Sequence, residues 1–173
     1  KVADQIAQTR GAADFARGVA AFCNEAAAYG VTCLCALDGN EDSPDDAPTL
    51  ALAACAGQFP LAVRLFVQYT DIERAALFLP YMSDKRLGGC GAWEMDGSIG
   101  SRSAAFQTPY RNQAGHCGEL YYSYEQCRKM VATALAADYQ LTVHAIGTEA
   151  IEEILSVYEE LLLPNGNSKR HRI

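Results

Sequence analysis

Leu141-Thr-Val-His-Ala-Ile146, then Gly147 and the stretch Thr148–Leu163, decide how this chain folds. Apart from Thr142 and one imidazole the first six residues are apolar, and the run is partly β-branched, as in a strand buried on both faces. After Gly147, the residues Ile151, Ile154, Leu155, Tyr158 and Leu162 fall on one helical face, and Pro164 closes the helix. A doubly buried strand running into an amphipathic helix is the repeating piece of a parallel sheet.

The same pair of patterns recurs upstream. Gly11–Tyr29 carries Phe15, Val19 and Phe22 at helical spacing and ends at Gly30, a helix stop. Val31–Leu37 is a short apolar strand, and Asp38–Pro48, acidic and marked by Gly39, Pro44 and Pro48, is a loop. Thr49–Gln58 reads as helix. Leu61–Tyr69 is the next strand, with Asp71 as N-cap of a helix through Leu79. Leu87–Asp96 is the third strand, and Gly97–Cys117 a long polar loop. Ser123 with Gln126 forms a capping box that opens a helix to about Ala137. Beyond the turn Pro164–Ser168, His171-Arg-Ile173 begins another strand. About four parallel βα units follow, an α/β fold. They belong either to an open doubly wound sheet or to part of a (β/α)8 TIM barrel, and periodicity leaves both open.

The 173 residues are 50% hydrophobic and 20% charged, as expected of one globular domain over residues 1–173. A net charge of -7 argues against a nucleic-acid partner, since the only basic cluster is Lys169-Arg-His-Arg172 at the end. No stretch approaches the roughly 20 apolar residues that span a bilayer, and no signal peptide opens the chain, so no membrane partner is expected. The seven cysteines include no Cys-x-x-Cys pair. Cys33 and Cys35 share a strand face, and all read as small buried residues of a reducing compartment, which implies a cytoplasmic location. The chain starts at Lys1 and stops at Ile173 inside a growing strand, so both ends read as cut ends of a longer protein.

Ligands of parallel sheets bind beyond the carboxyl ends of the strands. There the sequence places Asp38, then Glu94 and Asp96 followed by Gly97-Ser-Ile-Gly-Ser-Arg102, then His144. His144 interrupts an otherwise apolar strand. Its ring nitrogens need partners: a metal, or equally a backbone carbonyl as in a core histidine. Glu94 and Asp96 sit two apart on one strand face, which requires a cation, an arginine such as Arg102, or escape of one carboxylate into solvent. Gly97–Gly100 lacks the lysine of a P-loop. Ser98 and Ser101 lack the Gly-x-Ser-x-Gly elbow of a serine hydrolase, and nothing marks Cys90 as an activated nucleophile.

Two stretches together resemble the amidohydrolase family 3 group, the YtcJ-like metal-dependent hydrolases. They are Asp96-Gly-Ser-Ile-Gly-Ser-Arg-Ser-Ala-Ala105 running on to Pro109-Tyr110, and Val143-His-Ala-Ile-Gly147 followed by Ala150-Ile151, a helix and Arg170-His-Arg-Ile173. Tyr121-x-Ser123 and Ala28-Tyr-Gly-Val-Thr32 match as well, so the resemblance covers nearly the whole chain. It implies part of a TIM barrel with one or two divalent metals, usually zinc, and hydrolysis of amide or related C–N bonds of small molecules by a metal-activated water. His144 falls on a metal-ligand histidine of the family. The family's carboxylated lysine is replaced by Ala92, and Glu94 is the expected substitute carboxylate. Thr148 stands where the family more often has Asp. Arg102 and Asp96 are expected at the substrate. The resemblance also keeps open a non-catalytic or regulatory relative acting as a binding protein. About half a barrel would expose apolar interior side chains, so a homo-oligomer is expected and the isolated chain is expected to be inactive.

Overall fold

The computed structural model describes residues 11–43, 45–164 and 166–173. Pro44, expected in the first loop, Asn165, expected in the last turn, and Lys1, read as a cut end, lie outside them. Helix α1 (Ala12–Ala28) leads into β1 (Cys33–Asp38), and α2 (Ala47–Cys55) into β2 (Ala62–Val67). Helix α3 (Ile72–Ala76) precedes β3 (Arg86–Glu94), and α4 (Tyr124–Ala136) precedes β4 (Gln140–His144) and α5 (Thr148–Leu162). Most expected elements form, with shifted ends. The helix capped by Asp71 stops at Ala76 instead of Leu79, and Leu79–Tyr81 continues as a 3-10 turn. Pro80 has no N–H for an α-helical bond and disfavours α geometry in Leu79 before it. Both expected N-caps are made: the Asp71 carboxylate accepts from the amides of Glu73 and Arg74, and Ser123 and Gln126 form the reciprocal box.

The four strands form one parallel sheet in the order β1-β2-β3-β4. That order resolves what periodicity left open. A doubly wound sheet reverses direction at a switch point, whereas each strand here adds on the same side of the last, as around a barrel wall. The layering agrees. Leu65, Val67, Leu87, Leu141 and Val143 join one core with Leu52 of α2, Ala75 of α3, Val131 of α4 and Ile154 of α5. Strand side chains alternate, so that core covers one face of the sheet. On the other face Cys33, Cys35 and Leu37 are exposed. Helices outside and, among the described residues, a second face without helices make this a partial (β/α)8 barrel.

The beginning of a fifth strand is present at Arg172, whose amide donates to Leu141 O and whose carbonyl accepts from the Val143 amide. It runs parallel to β4, through a bridge to Thr142, which continues the same order. The cysteines depart from their expected burial. Cys23 and Cys127 are buried, but Cys33, Cys35 and Cys90 are exposed; the sheet face that would bury Cys33 and Cys35 carries no second layer among the described residues.

Candidate metal centre

The register between β3 and β4 jumps from Gly89–Val143 to Glu94–His144, so Cys90 to Trp93 form extra length on β3. Trp93 anchors that length from below: its ring is buried and its indole N–H donates to Tyr69 O at 3.0 Å. The bulge therefore delivers Glu94 directly beside His144 at the carboxyl end of the sheet. Parallel register partners point to one face, and Trp93 and Met95 occupy the opposite, helix-covered face. The two expected metal residues thus stand at paired register positions on the barrel-interior side of the sheet. Tyr122 joins them: its hydroxyl donates to Ala92 O, and burial first, then Glu41 and Glu94, push its acidity down and its pKa up.

His144 is partly exposed at 21% of its side chain, yet its Nδ1 is buried and has no hydrogen-bond partner. No carbonyl bonds it there, and a carboxylate oxygen of Asp96 stands 3.8 Å away. An imidazole and a carboxylate at adjacent register positions are donors of the kind a divalent metal takes. A zinc centre that acts on water uses three protein ligands. Among the described residues no group of three or more His, Cys, Asp or Glu converges, so His144 and Glu94 fit a metal as part of a set.

Asp96 departs from its expected place among substrate contacts. It is fully buried, and its carboxylate accepts from three backbone amides: Ala105 at 2.8 Å, Ile146 at 2.9 Å and Gly147 at 2.7 Å. These N–H dipoles, rather than Arg102, compensate its charge. The crowding expected between Glu94 and Asp96 is relieved in the same way.

Arg102 stands on the loop above the strand ends, exposed, with φ 60° and its guanidinium donating to Gln113 Oε1 at 3.1 Å. The ion pair with Asp96 is absent. The loop holds its shape through an aromatic knot of Phe106, Tyr110 and His116, with Tyr110 and His116 stacked at 5.7 Å. His116 Nε2 lies 2.6 Å from Arg102 O, which fixes the backbone that presents the guanidinium.

A second polar cluster escaped the sequence reading. The loop after β1 was legible only as acidic, but Arg74 of α3 reaches into it and donates to the Asp46 carboxylate, Glu41 O and Ser43 O. Its guanidinium also lies 4.4 Å over the Tyr69 ring, and Tyr69 donates its hydroxyl to Asp46 at 2.8 Å. Arg74 holds the Asp46 carboxyl below its usual range, against the opposing effect of burial. The only sequence signal was a lone arginine one turn after the Asp71 cap.

A protein-family model described as "Amidohydrolase family" matches residues 2–173. YtcJ of Bacillus subtilis (strain 168), an amidohydrolase by name, is 27% identical over 124 residues, which are 68% of this chain and 22% of that protein. The exoenzymes regulatory protein AepA of Pectobacterium carotovorum subsp. carotovorum is 41% identical over 64 residues, 37% of this chain and 13% of that one. A crystal structure of an uncharacterized metal-dependent hydrolase from Pyrococcus furiosus superposes with a TM-score of 0.70 at 19% identity. It covers 88% of this chain and 32% of that one, a likeness of fold. The chain thus spans about a fifth of the length of YtcJ and a third of the solved hydrolase.

Proposed function

The chain belongs to the amidohydrolase family, and from that premise we propose that it carries part of the metal centre of a hydrolase cleaving amide or related C–N bonds of small molecules. The observation that carries this reading is the register pairing of Glu94 with His144, an imidazole and a carboxylate at paired positions at the carboxyl end of the sheet. A divalent metal, zinc in this reading, supplies Lewis acidity when bound: it acidifies water and polarises a carbonyl. His144 would hold it through an imidazole nitrogen and Glu94 through its carboxylate, in the role the family gives a carboxylated lysine. Arg102, exposed above the strand ends, would orient an anionic group of the substrate. The remaining ligands would come from sequence outside these residues, in a cytoplasmic protein whose thiols stay free.

Zinc titration of the purified chain tests this reading. One zinc per chain is expected, with affinity falling at least about tenfold in both His144→Ala and Glu94→Ala. No binding, or affinity unchanged by either substitution, would sink the assignment. A second reading, a non-catalytic binding or regulatory relative, is favoured by the absence of a third ligand among the described residues. Hydrolysis of an amide by the full-length protein, abolished by His144→Ala, would eliminate it.

A further inference from the structure

We infer that Asp96 is a positioning residue for His144, fixing which ring nitrogen carries the proton and leaving the other for a ligand. The inference rests on the metal-centre reading for its purpose but on separate geometry for its content. Asp96 Oδ2 accepts two amides, those of Ala105 and Gly147, whereas Oδ1 accepts only that of Ile146. One acceptor position on Oδ1 is therefore unused. His144 Nδ1, buried and without a partner, lies 3.8 Å from that same oxygen. An under-used acceptor and an orphaned nitrogen face each other inside the protein.

The charge on Asp96 decides the tautomer. A lone pair on Nδ1 facing a buried carboxylate oxygen is repelled, while an N–H there is attracted and can close to a hydrogen bond with a small ring movement. The neutral imidazole is then protonated at Nδ1 and presents its lone pair at Nε2. A carboxylate behind a ligating histidine has this effect in metal sites generally, orienting the ring and raising its basicity. Asp96 is itself immobilised by amides from two segments, the 97–118 loop and the turn after β4. It therefore ties the direction of His144 to the seating of the loop that carries Arg102.

The test is the tautomer of His144 in the zinc-free wild-type chain, read from imidazole 15N shifts at a pH where the ring is neutral, with His144→Gln identifying the signal. An Nδ1–H tautomer is expected, and an Nε2–H tautomer overturns the inference. In Asp96→Asn, which removes the charge and keeps the shape, the population should move toward Nε2–H and the zinc dissociation constant should rise about 10- to 100-fold. A folded Asp96→Asn with an unchanged tautomer also overturns it; if that variant does not fold, the wild-type tautomer decides alone. Nδ1–H without any zinc binding would reject the metal centre and leave the positioning intact. Zinc binding through an Nε2–H imidazole would do the reverse.

Discussion

The Gly147 amide donates to Asp96 Oδ2 at 2.7 Å, joining the turn after β4 to the root of the 97–118 loop. The approach is so close that a Cβ on Gly147 would stand 1.8 Å from Ala105 O, a backbone atom that also accepts the Glu149 amide. Neither side can retreat without breaking a buried hydrogen bond. Gly147→Ala is therefore expected to lower stability by about 1–3 kcal/mol, as overpacking does, and to raise hydrogen exchange at Ala105 and Ile146. Urea unfolding with no shift in midpoint would reject this packing.

Much of this was readable from residue order and some was not, for physical reasons. Periodicity and caps placed the strands and helices, because burial and unsatisfied helix ends are local demands. The barrel required neighbour order, a long-range fact that no local pattern carries. His144 was conspicuous because an imidazole in an apolar strand needs an explanation. Asp96 was misplaced because its compensation comes from backbone amides of Ile146 and Gly147, far along the chain, and amides leave no mark in a sequence. Arg74 and Asp46 were missed likewise: each alone reads as a solvated charge.

That ion pair gives the fold an acid-sensitive strap. Arg74 and Asp46 are only 19% and 17% exposed, and Arg74 lowers the Asp46 pKa. A carboxylate with a depressed folded-state pKa contributes stability that is fully present above its unfolded value, about 3.9, and lost as pH falls through the lower folded value. Wild-type stability should therefore decline below about pH 4 more steeply than that of Asp46→Asn, which should already be less stable at pH 7. Parallel urea midpoints for the two proteins across the acid range would dismiss the strap.

Arg74→Lys separates charge from shape. A lysine keeps one positive charge but cannot hold the Asp46 carboxylate, the Glu41 and Ser43 carbonyls and the Tyr69 ring together. A loss of about 1–3 kcal/mol is expected, with faster amide exchange in residues 40–46. Wild-type stability and exchange in Arg74→Lys would show that charge alone suffices.

The cysteines should label in an order set by burial. At concentrations low enough to keep the chain monomeric, Cys33 and Cys35, exposed on the helix-free sheet face, should react first with iodoacetamide. Cys90 should follow, because burial of its sulfur and then Glu94 push its thiol up. Cys127 is fully buried, and burial pushes its thiol up to about 12, so it should remain unlabelled until unfolding, as should buried Cys23. Mass spectrometry of a labelling time course reads the order directly, and early modification of Cys127 would contradict the core.

The helix-free face of the sheet leads to the last expectation. Phe66 on that face is covered by the guanidinium groups of Arg86 and Arg172, at 5.9 and 5.7 Å from its ring. Its register partner Leu37 is not covered and stands 44% exposed, beside exposed Cys35. Among the described residues strand β1 also has a single neighbour, β2, which leaves its outer ladder groups open to pairing. Apolar exposure next to an open strand edge favours self-association, and we expect the isolated chain to form a dimer through this face. Sedimentation velocity should show a mass that rises with concentration, and Leu37→Lys should shift it toward the monomer by placing a charge at the centre of contact. A wild-type chain that stays monomeric at high concentration would mean that Arg86 and Arg172 shield the face well enough alone.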